Sequence, residues 1–569
     1  MAERVLAGSA ASPGVAAGAA RPAVASQPAA ALAPVAMLDR AQEGIRAAAG
    51  LAAAAAELAA LAARLRAAGR ADDAELVETS VLMAADPALR DDVLERTVAG
   101  TPAVAALTGA AEAQAALIAA IDDATLAARA DDVRSVGRRA ARLAAPASPA
   151  APQETGDVVL VADDLGPADV AELGPDVRAI ALARGAVSAH AAIVARSLGL
   201  PMVVGLGPAI LAAAGPVVVD GNAGSAVLHP SPARAASAHA AAAARAGDHR
   251  RWSADRALPA RTRDGHRIAV LANVASAAEV EVARGYGADG AGLVRTELAF
   301  LDAAGWPTED EHRRALEPVL GALRGQVATV RVLDFGADKT PPFLAGAPDR
   351  GLRLLLRSPD ALAAQLRALL RAGRDCRLRV LLPMVEGARE LELAVALLHE
   401  AAAATALPVP PLGAMIETPP AAAAVFDLAG RADFLSIGTN DLTSATLGED
   451  RFGAGRARAH DPRVLALIAR TTRAAHAAGR AVEVCGEAAS DPRTVALLVG
   501  LGVDELSVGA ARVGAVREWV RGLDRADAGA LARRALDAAD ARAVEALVQP
   551  GDAAGEGPHG GDRVSAVGA

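Results

Sequence analysis

Apolar and polar positions alternate along the chain with two different periods. Residues 1 to about 30 form short runs punctuated by glycine and proline, and Ser12-Pro13-Gly14-Val15-Ala16 reads as a turn between strands. From Leu38 to about Leu143 apolar residues recur at spacings of three and four, as at Leu51, Leu58, Leu61 and Leu65. That is the pattern of amphipathic helices, and Pro87 and Pro102 divide it into separate ones. Alanine-rich faces allow close packing, so the segment is expected to be a bundle of helical hairpins. Ala145 to Pro149 reads as a linker. Residues 157 to about 230 mix short helices with strand-like runs at Val158–Val161, Val177–Leu182, Met202–Val204, Val217–Val219 and Ala226–Leu228. Pro232 suits the first turn of an Ala-rich helix running to about Ala246.

From about His266 onward eight strand-like runs alternate with helical stretches. They are Ile268–Leu271, Gly292–Val294, Ala328–Val330, Arg379–Leu382, Gly413–Ile416, Phe434–Ile437, Ala481–Val484 and Glu505–Val508. Eight such units predict a (β/α)8 barrel of the TIM type, with its active site at the C-terminal ends of the strands. The expected boundaries are 1–37 for the first strands, 38–145 for the bundle, 146–230 for a mixed α/β domain, 231–255 for a linker helix and 256–548 for the barrel. The Gly-rich, polar stretch 549–569 is expected to be a disordered tail.

Composition narrows the function. The 569 residues suit three or four domains, and a net charge of −9 argues against a general nucleic-acid binder. Aromatics are only 2% of the chain, so the core must be built from Ala, Val and Leu. Lys339 is the single lysine among many arginines, and the two cysteines, Cys376 and Cys485, suggest a reducing compartment without a disulfide framework. The N-terminus is broken by Pro13, Gly14, Gly18 and Pro22 before an apolar run can form a signal peptide. Glu57 and a helical period make the stretch Leu51–Ala63 a helix of a soluble protein rather than a membrane span. A cytoplasmic protein with no membrane insertion is expected.

Candidate chemistry falls in two places. His190 sits where the run Arg184–Arg196 turns from a strand into a short helix, stopped by Gly199 and Pro201. Unpaired backbone N–H groups and the positive end of a helix dipole favour added negative charge there, which suits a histidine that carries a phosphoryl group. A capping or partly buried histidine has the same local signature. On the barrel rim, charged residues stand at nearly every strand end: Arg295-Thr296-Glu297, Arg331, Asp334, Glu386, Glu417, Asn440-Asp441 and Glu487. Glu417 and Asp441 end adjacent strands and offer hard oxygen ligands for Mg²⁺. Arg295, Arg331, Arg353 and Arg451 suit phosphate and carboxylate oxygens, although any one of them could serve a surface ion pair. Cys485 is either a small buried residue or a proton donor to an enolate, with an unperturbed thiol pKa near ~8.5.

These residues resemble Enzyme I of the bacterial sugar phosphotransferase system, the phosphoenolpyruvate–protein phosphotransferases, over nearly the whole chain. The stretches that carry the resemblance are Ser12–Ala16, Ala127–Arg134, Ala189–Arg196, Gly292–Glu297, Asp338-Lys339, Ile416–Pro419, Ser436–Thr443, Asp450-Arg451 and Cys485–Glu487. The resemblance implies a swivelling phosphohistidine α/β domain with the helical bundle inserted as an HPr-binding domain, followed by the phosphoenolpyruvate-binding barrel. It implies His190 as phosphoryl acceptor through Nε2 and Cys485 as the acid that protonates enolpyruvate. Arg295, Arg331, Arg451, Asn440 and Asp441 would bind phosphoenolpyruvate with Arg353 and Lys339 in support, and Glu417 and Asp441 would hold Mg²⁺. The phosphoryl group would pass to the phosphocarrier protein HPr, and the family is usually a homodimer through its barrel.

The chain departs from the family pattern at several points. Ala189 stands where serine usually precedes the histidine, Ala186 replaces one of a glycine pair, and Gly166 replaces a threonine that can bond the imidazole. What orients His190 Nδ1 is therefore open, with Ser188 one candidate. The Ala347–Arg353 stretch keeps the family arginine but not its asparagine, and Gly336-Ala337 stands for a second glycine pair. A non-catalytic HPr-binding sensor of phosphoenolpyruvate is the alternative. The related dikinase and synthase enzymes need an ATP-binding domain, for which there is no Gly-rich phosphate loop before His190.

Overall fold

The computed structural model describes the chain apart from residues 1–2, 24–38, 68–69, 121–128, 146–155, 188, 302, 337–338, 449–457 and 549–569. The expected tail, most of the linker near Pro149, and Ser188, Asp338 and Arg451 all lie outside the described residues. The chain divides into two compact units, Met1–Gly247 and Asp248–Ala569.

The first unit is built on an eight-stranded mixed sheet. Its strands are β1 (Arg4–Ala7), β2 (Ser9–Ser12), β3 (Val15–Pro22), β4 (Val158–Ala162), β5 (Val177–Leu182), β6 (Met202–Val204), β7 (Pro216–Asp220) and β8 (Ser225–Leu228). They lie in the order β1-β8-β7-β3-β4-β5-β6-β2. The centre is parallel: β3 pairs with β4, β4 with β5 and β5 with β6. Strands covered on both faces are apolar throughout rather than alternating, and every residue of β4 is buried. The two faces carry separate cores, one around Val159, Ala181 and Val219, the other around Ile180, Leu182 and Met202.

Between β3 and β4 the chain leaves the sheet to form the bundle α1 (Arg40–Ala67), α2 (Ala71–Ala84), α3 (Pro87–Val98), α4 (Ala103–Ala119) and α5 (Ala130–Ala144). Pro87 opens α3, where Asp86 accepts the Ala88 N–H, and Pro102 precedes α4, so both prolines act as helix starts. Leu51, Leu58, Leu61 and Leu65 of α1 join Leu107 and Val136 in the bundle core. α1 is long and apolar enough to cross a membrane. Its Glu57 instead accepts from Arg142 at 2.7 Å and Arg139 at 3.4 Å, both on α5. The short helices α6 (Pro167–Ala171) and α7 (His190–Ser197) follow β4 and β5, and α8 (Pro232–Ala254) runs across the unit boundary.

The second unit is a closed parallel barrel of β9 (Ala269–Val274), β10 (Gly290–Val294), β11 (Val327–Arg331), β12 (Arg377–Leu382), β13 (Leu412–Ile416), β14 (Phe434–Ile437), β15 (Ala481–Val484) and β16 (Glu505–Gly509). The eight strands coincide with the eight apolar runs of the sequence to within a few residues. The barrel interior is filled by Leu293, Leu381, Met415, Phe434 and Cys485, and a larger core lies between strands and surrounding helices.

Candidate active site

His190 is the first residue of α7, so its side chain stands where the helix leaves its leading N–H groups without intrahelical partners. Its Nδ1 lies 2.8 Å from Asp132 Oδ2 on α5 of the bundle. Asp132 is 3% exposed, and a buried carboxylate next to a ring nitrogen selects the tautomer with the proton on Nδ1. Nε2 is then the lone-pair nitrogen. Asp132 belongs to a stretch singled out in the sequence, but not for this role; nothing in the local pattern links positions 58 residues apart.

The substitutions around His190 have a structural account. A Cβ on Gly166 would lie 2.6 Å from both Cβ and Oγ of Ser135 on α5. The space of the family's threonine is thus taken by a bundle side chain, whose Oγ donates to Asp169 Oδ2 at 2.6 Å. Ala189 is the N-cap of α7 and supplies no side-chain bond, whereas a serine there would accept from the first turn. Arg196, at the far end of the helix, donates to the Ala11 carbonyl at 2.7 Å and ties α7 to β2.

On the barrel rim, charged groups converge from four strand ends. Glu297, fully buried after β10, accepts from Arg331 Nη2 at 2.6 Å and from Lys339 Nζ at 2.9 Å. Arg331 Nη1 lies 3.0 Å from Asp334 Oδ2, and Lys339 Nζ lies 3.6 Å from the same oxygen. These cations hold the Glu297 carboxyl below its ordinary range against the opposing effect of burial. Gln365 locks the two loops from behind: its amide donates to Thr296 Oγ1 and its carbonyl accepts the Leu333 N–H, both at 3.0 Å.

Glu417, 2% exposed after β13, accepts the Met384 N–H at 2.6 Å. Met384 holds this position with a left-handed φ of 53°, a strained conformation for a non-glycine residue. Burial, and then the neighbouring carboxylates Asp334 and Asp441, push Glu417 up to about 8. A Cβ on Gly438 would lie 2.8 Å from Glu417 Oε2, so glycine is needed beneath that carboxylate. Buried Asp334 Oδ1 and Glu297 Oε2 have no hydrogen-bond partner among the described residues. Three carboxylates that repel one another, with an orphaned oxygen, fit a divalent cation. The three do not form a closed metal site: among the described residues no group of three or more His, Cys, Asp or Glu is placed to hold a metal ion by itself.

The remaining expected residues fall as follows. Asn440 Oδ1 accepts the Glu487 N–H at 2.9 Å, joining the ends of β14 and β15. Arg295 is exposed beyond β10. Arg353 is half-exposed and is drawn away to Glu386 and Glu390. Arg350, to which the sequence assigned no role, reaches Asp441 Oδ1 at 3.6 Å. Cys485 is 7% exposed, its carbonyl accepts from Asn273 Nδ2 at 3.0 Å, and its Sγ lies 3.7 Å from the Ile437 carbonyl. Burial and then the nearby Glu483 push its thiol up to about 12, which corrects the unperturbed value assumed from sequence. The thiol is a weaker acid than expected and is more securely protonated.

Three family descriptions match the chain in succession: PEP-utilising enzyme, N-terminal, over residues 7–129; its mobile domain over 155–224; and its PEP-binding domain over 249–525. The three matched regions place the chain among the PEP-utilising enzymes. Among similar proteins, the phosphoenolpyruvate-protein phosphotransferase of Streptomyces coelicolor is 38% identical over 86% of this chain and 90% of its own. That of Haloferax volcanii is 37% identical over 84% of this chain and 87% of its own. The multiphosphoryl transfer protein of Rhodobacter capsulatus is 39% identical over 76% of this chain, and the match spans 54% of that longer protein. The chain belongs to the phosphoenolpyruvate–protein phosphotransferase family, Enzyme I.

Proposed function

We propose that the chain phosphorylates itself on His190 from phosphoenolpyruvate and passes the phosphoryl group to HPr, the first step of sugar uptake by the phosphotransferase system. The observation that carries this reading is the Asp132–His190 pair at the start of α7, which leaves Nε2 free to attack phosphorus. Arg331 and Lys339 supply positive charge beside the rim carboxylates, and Arg295, Arg353, Arg451 and Asn440 complete the proposed substrate set. Glu417 and Asp441, with the orphaned oxygen of Asp334 beside them, would hold Mg²⁺. A bound Mg²⁺ would neutralise charge on the phosphoryl and enolate oxygens. The thiol of Cys485 would give its proton to C3 of enolpyruvate. HPr would dock on the bundle, the barrel would form a homodimer, and the free cysteines suit the cytoplasm. The domain assignments proposed are 1–37 with 146–230 for the phosphohistidine domain, 38–145 for HPr binding, 231–255 for the linker helix and 256–548 for phosphoenolpyruvate.

The test is incubation with radiolabelled phosphoenolpyruvate and Mg²⁺. An acid-labile, base-stable label that disappears in His190→Ala and moves to added HPr is the expected result. Binding of phosphoenolpyruvate without any label would overturn it in favour of a non-catalytic sensor.

A further inference from the structure

Inside the barrel, below the rim, lies a carboxyl group that the reading above leaves without a task. Glu483 is on β15, two residues before Cys485, so both side chains face the barrel interior. It is 1% exposed, and neither of its carboxyl oxygens has a hydrogen-bond partner among the described residues. Its cross-strand neighbours in register are Ser436 on β14 and Glu505 on β16. Ser436 Oγ is likewise buried and unpartnered. Arg379, from β12, comes within 3.8 Å of Glu483 Oε2, but its hydrogen bonds go to Glu505 and Thr329, each at 2.9 Å. Its guanidinium sits over the Phe434 ring, 4.9 Å from the centroid. On the opposite side Gly292 of β10 closes the space, since a Cβ there would lie 2.9 Å from Glu483 Oε1.

A carboxylate that is buried beside a second carboxylate is costly to ionise. Burial first, and the charge of Glu505 next, raise its proton affinity well above the ordinary range, and Arg379 and the Ser436 hydroxyl offset only part of this. A stabilising ion layer would place Glu483 in contact with a donor. Its surroundings favour the protonated form, one pleat below the thiol.

We propose that Glu483 is the proton reservoir of Cys485, refilling the thiol from inside the barrel by way of the Ser436 hydroxyl. The proposal rests on the reading of Cys485 as the acid that protonates enolpyruvate. In that step the S–H bond breaks, a C–H bond forms at C3, and the enolate oxygen becomes the ketone carbonyl. The thiolate left behind takes the Glu483 proton: the carboxyl O–H breaks, S–H re-forms, and a carboxylate remains facing Arg379. Burial makes the bare thiolate costly, so the proton moves toward sulfur. The Glu483 carboxylate then recovers a proton from water through Glu505. Glu505 opens β16 at the barrel end opposite the rim, and its side chain is 19% exposed. The thiol can therefore be recharged while product still covers the rim.

The test compares the full-length protein with Glu483→Gln, which keeps the shape and cannot deliver the proton. Infrared difference spectra at pH 7 should show the loss of one protonated carboxylic-acid C=O band. With excess HPr as acceptor, steady-state pyruvate formation should fall on the order of 10²-fold relative to single-turnover labelling of His190. Iodoacetamide added during turnover should alkylate Cys485 in the variant and not in the parent, because the thiolate persists. C3 stereochemistry in the first turnover should be retained, unlike in Cys485→Ala. An unchanged carboxyl band shows that Glu483 is ionised and overturns the proposal, as does parental steady-state turnover. Retained stereocontrol in Cys485→Ala overturns the reading of the thiol and the relay with it, while failure of the parent to label His190 overturns the proposed activity itself.

Discussion

Asp132 Oδ2 lies 2.8 Å from His190 Nδ1, joining the inserted bundle to the helix that carries the candidate nucleophile. The pair makes the ring's tautomer a property of the bundle. Asp132→Asn should leave unit 1 folded but let the imidazole adopt the wrong tautomer. Labelling of His190 is expected to slow on the order of 10²-fold, and nitrogen chemical shifts should show the Nδ1 proton shared with Nε2. Unchanged shifts would show that Asp132 does not set the tautomer.

Gly166 and Ser135 should behave as one site. Gly166→Thr, which restores the family residue, drives a side chain into Ser135 and should destabilise the first unit by about 1–3 kcal/mol. Because Ser135 Cβ itself obstructs, only Ser135→Gly makes room, so the double variant should be more stable than Gly166→Thr alone. Thermal melts of the four proteins measure the coupling, and strictly additive effects would refute it.

Glu417→Ala and Cys485→Ala should fail at different steps. Removing Glu417 takes a carboxylate from the proposed cation site, and His190 should not be labelled at all. Removing the thiol should allow a single turnover of labelling, while pyruvate made from phosphoenolpyruvate stereospecifically deuterated at C3 in tritiated water loses its methyl chirality. If both variants block labelling equally, Cys485 belongs to the substrate site and is not the acid.

His312 gives the barrel an acid limit. Its ring is fully buried, packs edge-on to Phe300 with centroids 4.9 Å apart, and both nitrogens lack partners among the described residues. Burial lowers its pKa to about 4, from the ordinary 6.5 of an imidazole in water. Between those values the unfolded chain binds a proton that the native barrel does not, so stability falls as pH drops from about 6.5 to about 4. The loss totals about 3 kcal/mol, and His312→Leu should flatten it. All three tryptophans, Trp252, Trp306 and Trp519, lie in the second unit, so their fluorescence in urea follows the barrel alone.

The barrel was legible because its parallel strands are buried on both faces and appear as apolar runs, eight of them, between helical periods. The inserted bundle was legible for a different reason, the helical spacing of three and four that sets in at Leu38 and ends near Leu143. What sequence could not supply was partnership across distance. No local rule connects Asp132 to His190, or places Ser135 over Gly166. Arg353 keeps the arginine of the family's pattern, yet Glu386 and Glu390 hold it, and it is Arg350 that reaches Asp441. Burial was equally hidden: the same cysteine titrates near ~8.5 in water and about 12 inside the barrel. Glu483 did leave a mark, as the one charge in an otherwise apolar run from Ala481 to Val484, but a charge in a strand does not say which group it serves.

The insertion of the bundle between β3 and β4 also sets a timetable for synthesis. β3 ends at Pro22, and its parallel partner begins at Val158. At about 5–20 residues per second, on the order of ten seconds pass on the ribosome before β1, β2 and β3 can meet the strands they need. Among the described residues the bundle closes its core with its own helices, joined by Ala168 and Ala171 of α6, and most of that core emerges before β4 does. The first object this nascent chain can fold is therefore the inserted one, while the strands that precede it wait, unpaired, for a sheet not yet translated.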